Sequence, residues 1–222
     1  MRITNQMLNE SARKSGLPIN RSSLLDYINK DGSSNPLLEA LNKNKEIAAN
    51  SAKKDSYEKL DKEADLLTQA TEGLLQDGEN NLFEQAKATG DKQKVYDSIE
   101  NLLESYNSTL KALRSTSNTM NDFYRQMLLE APAEAKESLE SVGITFAKDG
   151  TANIDMEKIK AADFTALEGL FGKESDFVNK VQFLSTRISD NAEANVESLS
   201  SAYNSNGNLY AAMGSSKFDF WG

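Results

Sequence analysis

Val95, Ile99, Leu102, Tyr106, Thr109, Leu113, Thr116, Met120, Phe123 and Met127 recur at steps of 4, 3, 4, 3, 4, 3, 4, 3 and 4 residues. A stripe repeating every 3.5 residues drifts around a straight helix of 3.6 residues per turn, so a long run of it calls for a supercoiled helix packed on a partner. The spacing therefore predicts one helix over 92–130, roughly 55–60 Å long at about 1.5 Å per residue. Leu103, Leu110, Tyr124 and Leu128 widen the stripe, which predicts more than one neighbouring helix.

Two other segments carry related patterns. In 37–76, Tyr57, Leu60, Ala64, Leu67, Thr71 and Leu74 form a seam at heptad spacing, and Asp77-Gly78 is a stop signal. Leu37, Leu38, Leu41, Ile47 and Ala48 fit the same helix loosely, which leaves room for a break near 43–55. In 175–205, Phe177, Val181, Leu184, Ile188, Ala192, Val196, Leu199 and Tyr203 mark a buried face between Ser175-Asp176 and Asn204-Ser205-Asn206-Gly207. Steps of four dominate here, so this helix twists differently from the second.

The intervening pieces are shorter. Residues 78–90, with Leu82 and Phe83, read as a connection with room for one helical turn, and Asp91 is positioned to cap the next helix. Pro132 closes the second helix or opens a short one at 133–141. Ile144-Thr145-Phe146 and Ala152-Asn153-Ile154 flank Asp149-Gly150, a strong hairpin signal, giving a hairpin within 143–154. Asp149, Asn153 and Asp155 lack the glycine and the terminal glutamate that a calcium loop requires. Ile159, Phe164, Leu167, Leu170 and Phe171 predict one or two short helices over 156–171, stopped by Gly172. The expected fold is mainly α, an elongated coiled-coil-like bundle of about three long helices with one small β-hairpin. The bundle occupies 37–205, between a flexible arm at 1–36 and a tail at 206–222 that ends in Phe218, Phe220 and Trp221.

Composition narrows the function. The chain has no cysteine and no histidine, which removes thiol nucleophiles, imidazole bases and ordinary zinc sites. No enzymatic activity, cofactor or metal is expected. Carboxylate pairs such as Glu58/Asp61 and Asp61/Asp65 alternate with Lys59 and Lys62, the pattern of a solvated helix face. A net charge of −9 without a dense basic cluster argues against nucleic acid as a partner. No apolar run reaches the roughly 20 residues that span a bilayer. Residues 1–20 hold no apolar leader core, so any export is expected to proceed without a cleavable signal peptide.

Two stretches resemble bacterial flagellar filament cap proteins, which are hook-associated proteins. One is the helix from Val95 to Leu113 with its Tyr106-Asn107 pair. The other is Leu139–Phe171, with Gly143-Ile144, Asp149-Gly150, Asp155, Lys158-Ile159-Lys160 and Leu170-Phe171-Gly172 in the family's order. Met1-Arg2-Ile3-Thr4-Asn5-Gln6-Met7 resembles the opening of flagellins and hook–filament junction proteins. The resemblance covers roughly 92–205 and the opening segment. It implies an extracellular axial component of the flagellum, exported by the flagellar type III apparatus and packing through helical chain ends. Flagellin, junction proteins or further copies of the chain are the implied partners, with an export chaperone as a possible companion. The family's β-rich head has no counterpart between Gln76 and Asp91, which implies a reduced, head-less relative. The alternative is a secreted or cytoplasmic coiled-coil interaction protein (effector, adaptor or export chaperone) unrelated to the filament.

Overall fold

The structure is a computed structural model and describes Lys14, Ser15 and residues 36–201, with the backbone alone for 36–41. The arm segments, the flagellin-like opening, Tyr203, the stop at 204–207 and the aromatic tail at Phe218, Phe220 and Trp221 lie outside the described residues. The chain divides into two compact units, Met1–Ala49 and Asn50–Gly222. Helix α1, Pro36–Leu75, begins in the first and continues into the second.

The described chain is mainly helical with one two-stranded antiparallel sheet. After α1 come a single 3-10 turn (Gly78–Asn80), α2 (Leu82–Thr89), α3 (Gln93–Ser115), α4 (Thr119–Glu130) and α5 (Lys136–Ser141). Strands β1 (Ile144–Phe146) and β2 (Ala152–Ile154) follow, then α6 (Met156–Ala161), α7 (Phe164–Phe171) and α8 (Asp176–Ser201). The strands pair as expected, Ile144 opposite Ile154 and Phe146 opposite Ala152.

Three expectations need correction. The helix over 92–130 is not continuous: it stops at Ser115 and restarts at Thr119. Asn118 adopts an extended backbone, and its side chain accepts a hydrogen bond from the Asn121 amide at 2.8 Å, capping α4. Such a cap offers the chain an alternative to carrying the helix through Thr116-Ser117-Asn118. The chain then reverses, so that Tyr106 of α3 meets Leu128 of α4, and Thr116 meets Asn121. Residues 78–90 are more than a connection, because Asn81 caps a true helix, accepting from the amides of Phe83 and Glu84, and Phe83 is fully buried. The suspected break near 43–55 is absent, and α1 is helical throughout. Asp91 does accept from the Gln93 amide at 2.9 Å, although the residue flanking α3 is Lys92.

One core runs through the unit. Leu60, Ala64, Leu67, Thr71 and Leu74 of α1 are wholly buried, as are Val95, Ile99, Leu102, Leu103, Tyr106 and Leu113 of α3. From α8, Val181 and Ile188 are wholly buried and Leu184 nearly so. Each such leucine or isoleucine contributes about 1.5–3 kcal/mol. Phe83 of α2 packs on Phe164 of α7 at 5.5 Å, and Phe171 at the end of α7 meets Phe177 at the start of α8 edge-on at 6.3 Å. Among the described residues every buried side-chain nitrogen and oxygen has a hydrogen-bond partner.

Candidate assembly interface

Polar side chains fix how the helices register. The Thr109 hydroxyl lies 3.0 Å from the Glu63 carbonyl of α1 and 2.9 Å from the Ser105 carbonyl of its own helix. Thr68 donates to Ser185 at 2.8 Å, joining α1 to α8, and Asn191 of α8 donates to Asn121 of α4 at 3.0 Å. Asn121 is fully buried and also donates to the Thr116 carbonyl at 2.6 Å, while Asn118 donates to the Tyr57 hydroxyl at 2.5 Å. These two asparagines hold the α3–α4 reversal. The run Ser115-Thr116-Ser117-Asn118 is the sequence signal that would have located it.

The predicted seam residues divide at that reversal. Leu60, Leu67, Leu74, Val95, Ile99, Leu102, Tyr106, Leu113, Val181, Leu184 and Ile188 lie in the core, and Tyr57, Met127 and Leu199 are half-buried. Met120 and Phe123 lie outside the core of the chain: they are 49% and 55% exposed. They share heptad phase with Leu113 in the sequence, but α4 runs back along α3, so that phase no longer points into the core.

The hairpin is seated on α3 by the Tyr106-Asn107 pair. Asn107 donates to the Ala152 carbonyl at 2.9 Å and accepts from the Ala152 amide at 2.7 Å, closing one edge of β2. Tyr106 is fully buried, donates from its hydroxyl to the Leu128 carbonyl at 3.0 Å and meets Phe146 edge-on at 6.0 Å. Burial pushes its phenol far above the usual tyrosine range. One residue pair thus ties α3 to α4 and to both strands. Asn107→Ala strips Ala152 of both partners, and urea melting should show a loss of about 1–3 kcal/mol.

Of the other residues of the cap-protein pattern, Gly143, Asp149, Gly150 and Asp155 flank the hairpin strands, and Leu170 and Phe171 lie apart, at the end of α7. Gly143 has φ of 96° and its carbonyl accepts from the Asp155 amide at 2.9 Å; Asp155 in turn caps α6 by accepting from the Lys158 amide at 3.2 Å. Gly150 has φ of 83° and lies against Leu129 of α4. The Asp149 carboxylate pairs with Arg114 at 3.2 Å, and Arg114 also donates to the Asp149 carbonyl. Leu170 is half-buried and Phe171 fully buried at the end of α7. Asp149 and Asp155 therefore have structural partners, and no group of three or more acidic residues that could hold a metal occurs among the described residues.

Two exposed ion pairs clip the periphery. Hydrogen bonding to the Thr151 amide, then to its hydroxyl and to Arg114, holds the Asp149 carboxyl below its ordinary 3.8. Lys173 does the same for Asp77, helped by the Gly78 amide, and Asp77 raises Lys173 above 10.5. Lowered carboxyl values mean that these contacts stabilise the fold above pH 3.8 and are lost as pH falls through the folded-state values. Raised Lys173 means that its share is complete below 10.5 and is lost as pH rises through its folded value. The melting difference between the wild type and Asp77→Asn/Asp149→Asn should therefore be present at pH 6 and vanish toward pH 2.

A groove of about 640 Å³ opens between the 131–138 turn, the end of α7 and the start of α8. Its Ser175 hydroxyl donates to the Leu170 carbonyl and accepts from the Val178 amide, starting α8, and Lys180 pairs with Glu134 across it at 3.6 Å. Ser175 is thereby held as a helix cap. No helix among the described residues is long and apolar enough to cross a membrane. No family model, curated protein or solved structure matches the chain.

Proposed function

We propose that this chain is a structural axial component of the bacterial flagellum, a head-less hook-associated protein of cap-like or junction-like type, working by helix–helix assembly outside the cell. The observation that carries this reading is the junction at Tyr106-Asn107. The residues that resemble the cap-protein pattern come from two separate stretches, yet Tyr106, Asn107, Gly143, Asp149, Gly150 and Asp155 all fall on one hairpin and the helix that seats it. An interaction protein outside that family would need the seams but not this junction.

In this reading α1, α3 and α8 pack through coiled-coil-type seams and form a rigid shaft segment. Register comes from the buried threonines, serines and asparagines, which allow only one alignment of the apolar stripes. The protein does no chemistry. Its work is to present helix surfaces to flagellin, to junction proteins or to another copy, with the arm at 1–36 contributing to association.

Export and incorporation test this. Full-length chain should be recovered from sheared axial structures, whereas a chain lacking residues 1–30 should remain in the cell with the melting transition of the 50–222 unit unchanged. Efficient incorporation of the truncated chain would overturn the role given to the arm, and absence of the full chain from the axial fraction would overturn the assignment itself.

A further inference from the structure

Met120 and Phe123 sit one turn apart on α4, about half exposed, with Phe123 packed on the half-buried Tyr124 at 5.8 Å. Met127, one turn on, is half-buried against the core and borders the strip. An apolar strip with aromatic and thioether character is a surface that prefers to be covered. We infer that its occupant is this chain's own segment Phe218–Trp221, docked in cis.

The reach supports that occupant. α8 touches the strip's neighbour Asn121 through Asn191, and α8 ends at Ser201. Ser201 thus stands about 15 Å along the helix axis from that contact. The number of residues from Ser201 to Phe218, roughly 17, is ample to cover that distance at about 3.3–3.6 Å per extended residue. Tethering on the same chain raises the local concentration of the segment at the strip relative to a free partner. Chemistry agrees with reach. Phe218, Phe220 and Trp221 supply aromatic faces for Met120 and Phe123, while Lys217 and Asp219 alternate with them and can stay at the rim beside Arg125 and Asp122. This inference stands independently of the flagellar reading.

Trp221 is the single tryptophan of the chain, so intrinsic fluorescence reports on the tail directly. In the full-length protein its emission should be shifted to shorter wavelength, and quenched less by acrylamide, than in a peptide of residues 202–222. Met120→Ser/Phe123→Ser should return both readings to those of the peptide, and Phe183→Ser, which removes the exposed α8 aromatic, should not. A peptide-like emission in the wild type, or one indifferent to the α4 double variant, overturns the inference. So does a blue shift lost on dilution, which would put the tail on a second copy. Peroxide oxidation gives a second measurement with α4 intact: ending the chain after Ser216 should speed oxidation of Met120 relative to Met156. An unchanged ratio overturns it.

Discussion

Leu113→Asp should abolish most of the stability of the 50–222 unit, while Phe123→Asp should leave its melting temperature within about 4 °C of wild type. Both positions belong to the same heptad ladder in the sequence. Leu113 is fully buried, facing a core without free polar partners. A carboxylate there is either buried unpaired or forces the helices apart, a loss of about 4–5 kcal/mol or more, a large part of the roughly 5–15 kcal/mol that a domain commands. Phe123 is 55% exposed, and a carboxylate there remains in water. Leu102→Asp should behave as Leu113→Asp does. Were the helix continuous over 92–130, the Leu113 and Phe123 variants would be equally destructive, so thermal melting by circular dichroism separates the two architectures.

Gly143→Ala carries the second large expected effect. A Cβ at this position would lie 2.6 Å from the Lys158 Cβ and 3.0 Å from the Asp155 carbonyl oxygen. Neither atom is the free end of a side chain, so α6 must move away from the hairpin. The residue also holds φ at 96°, where alanine is strained. Together these predict a loss of about 3 kcal/mol, or roughly 6–12 °C in melting temperature. Gly150→Ala should cost less. Its added Cβ meets the Cδ2 tip of Leu129, which can change rotamer, leaving mainly the strain at φ of 83°. A reversed order of the two would mean that the hairpin loop, and not the Gly143–Asp155 contact, holds this part of the fold.

Much of the architecture was legible in the sequence because periodicity and turn chemistry agree in most segments. The seam from Leu60 to Leu74, the hairpin around Asp149-Gly150 and the start of α8 at Ser175-Asp176 all follow from local pattern. The ladder from Val95 to Met127 misled for a physical reason. Heptad spacing reports which residues share a face only while the backbone stays helical, and it contains no term for a chain reversal that preserves the count. Asn118 and Asn121 make that reversal, and polar residues at non-ladder positions are invisible to an apolar period. Phe83 was missed similarly, since the helix that buries it is short and its cap, Asn81, lies in a polar run. Of the candidate surface, the Tyr106-Asn107 pair was visible as a motif, but its two-way bond to Ala152 joins residues far apart in sequence and needed the fold.

The most direct measurement is quantitative mass spectrometry of sheared hook–filament structures from the organism that encodes the chain, compared with a strain lacking the flagellar export apparatus. The chain is expected in the sheared axial fraction of the parent and is expected to be retained inside the export-deficient cells. Recovery from the cytosol alone in both strains would contradict it.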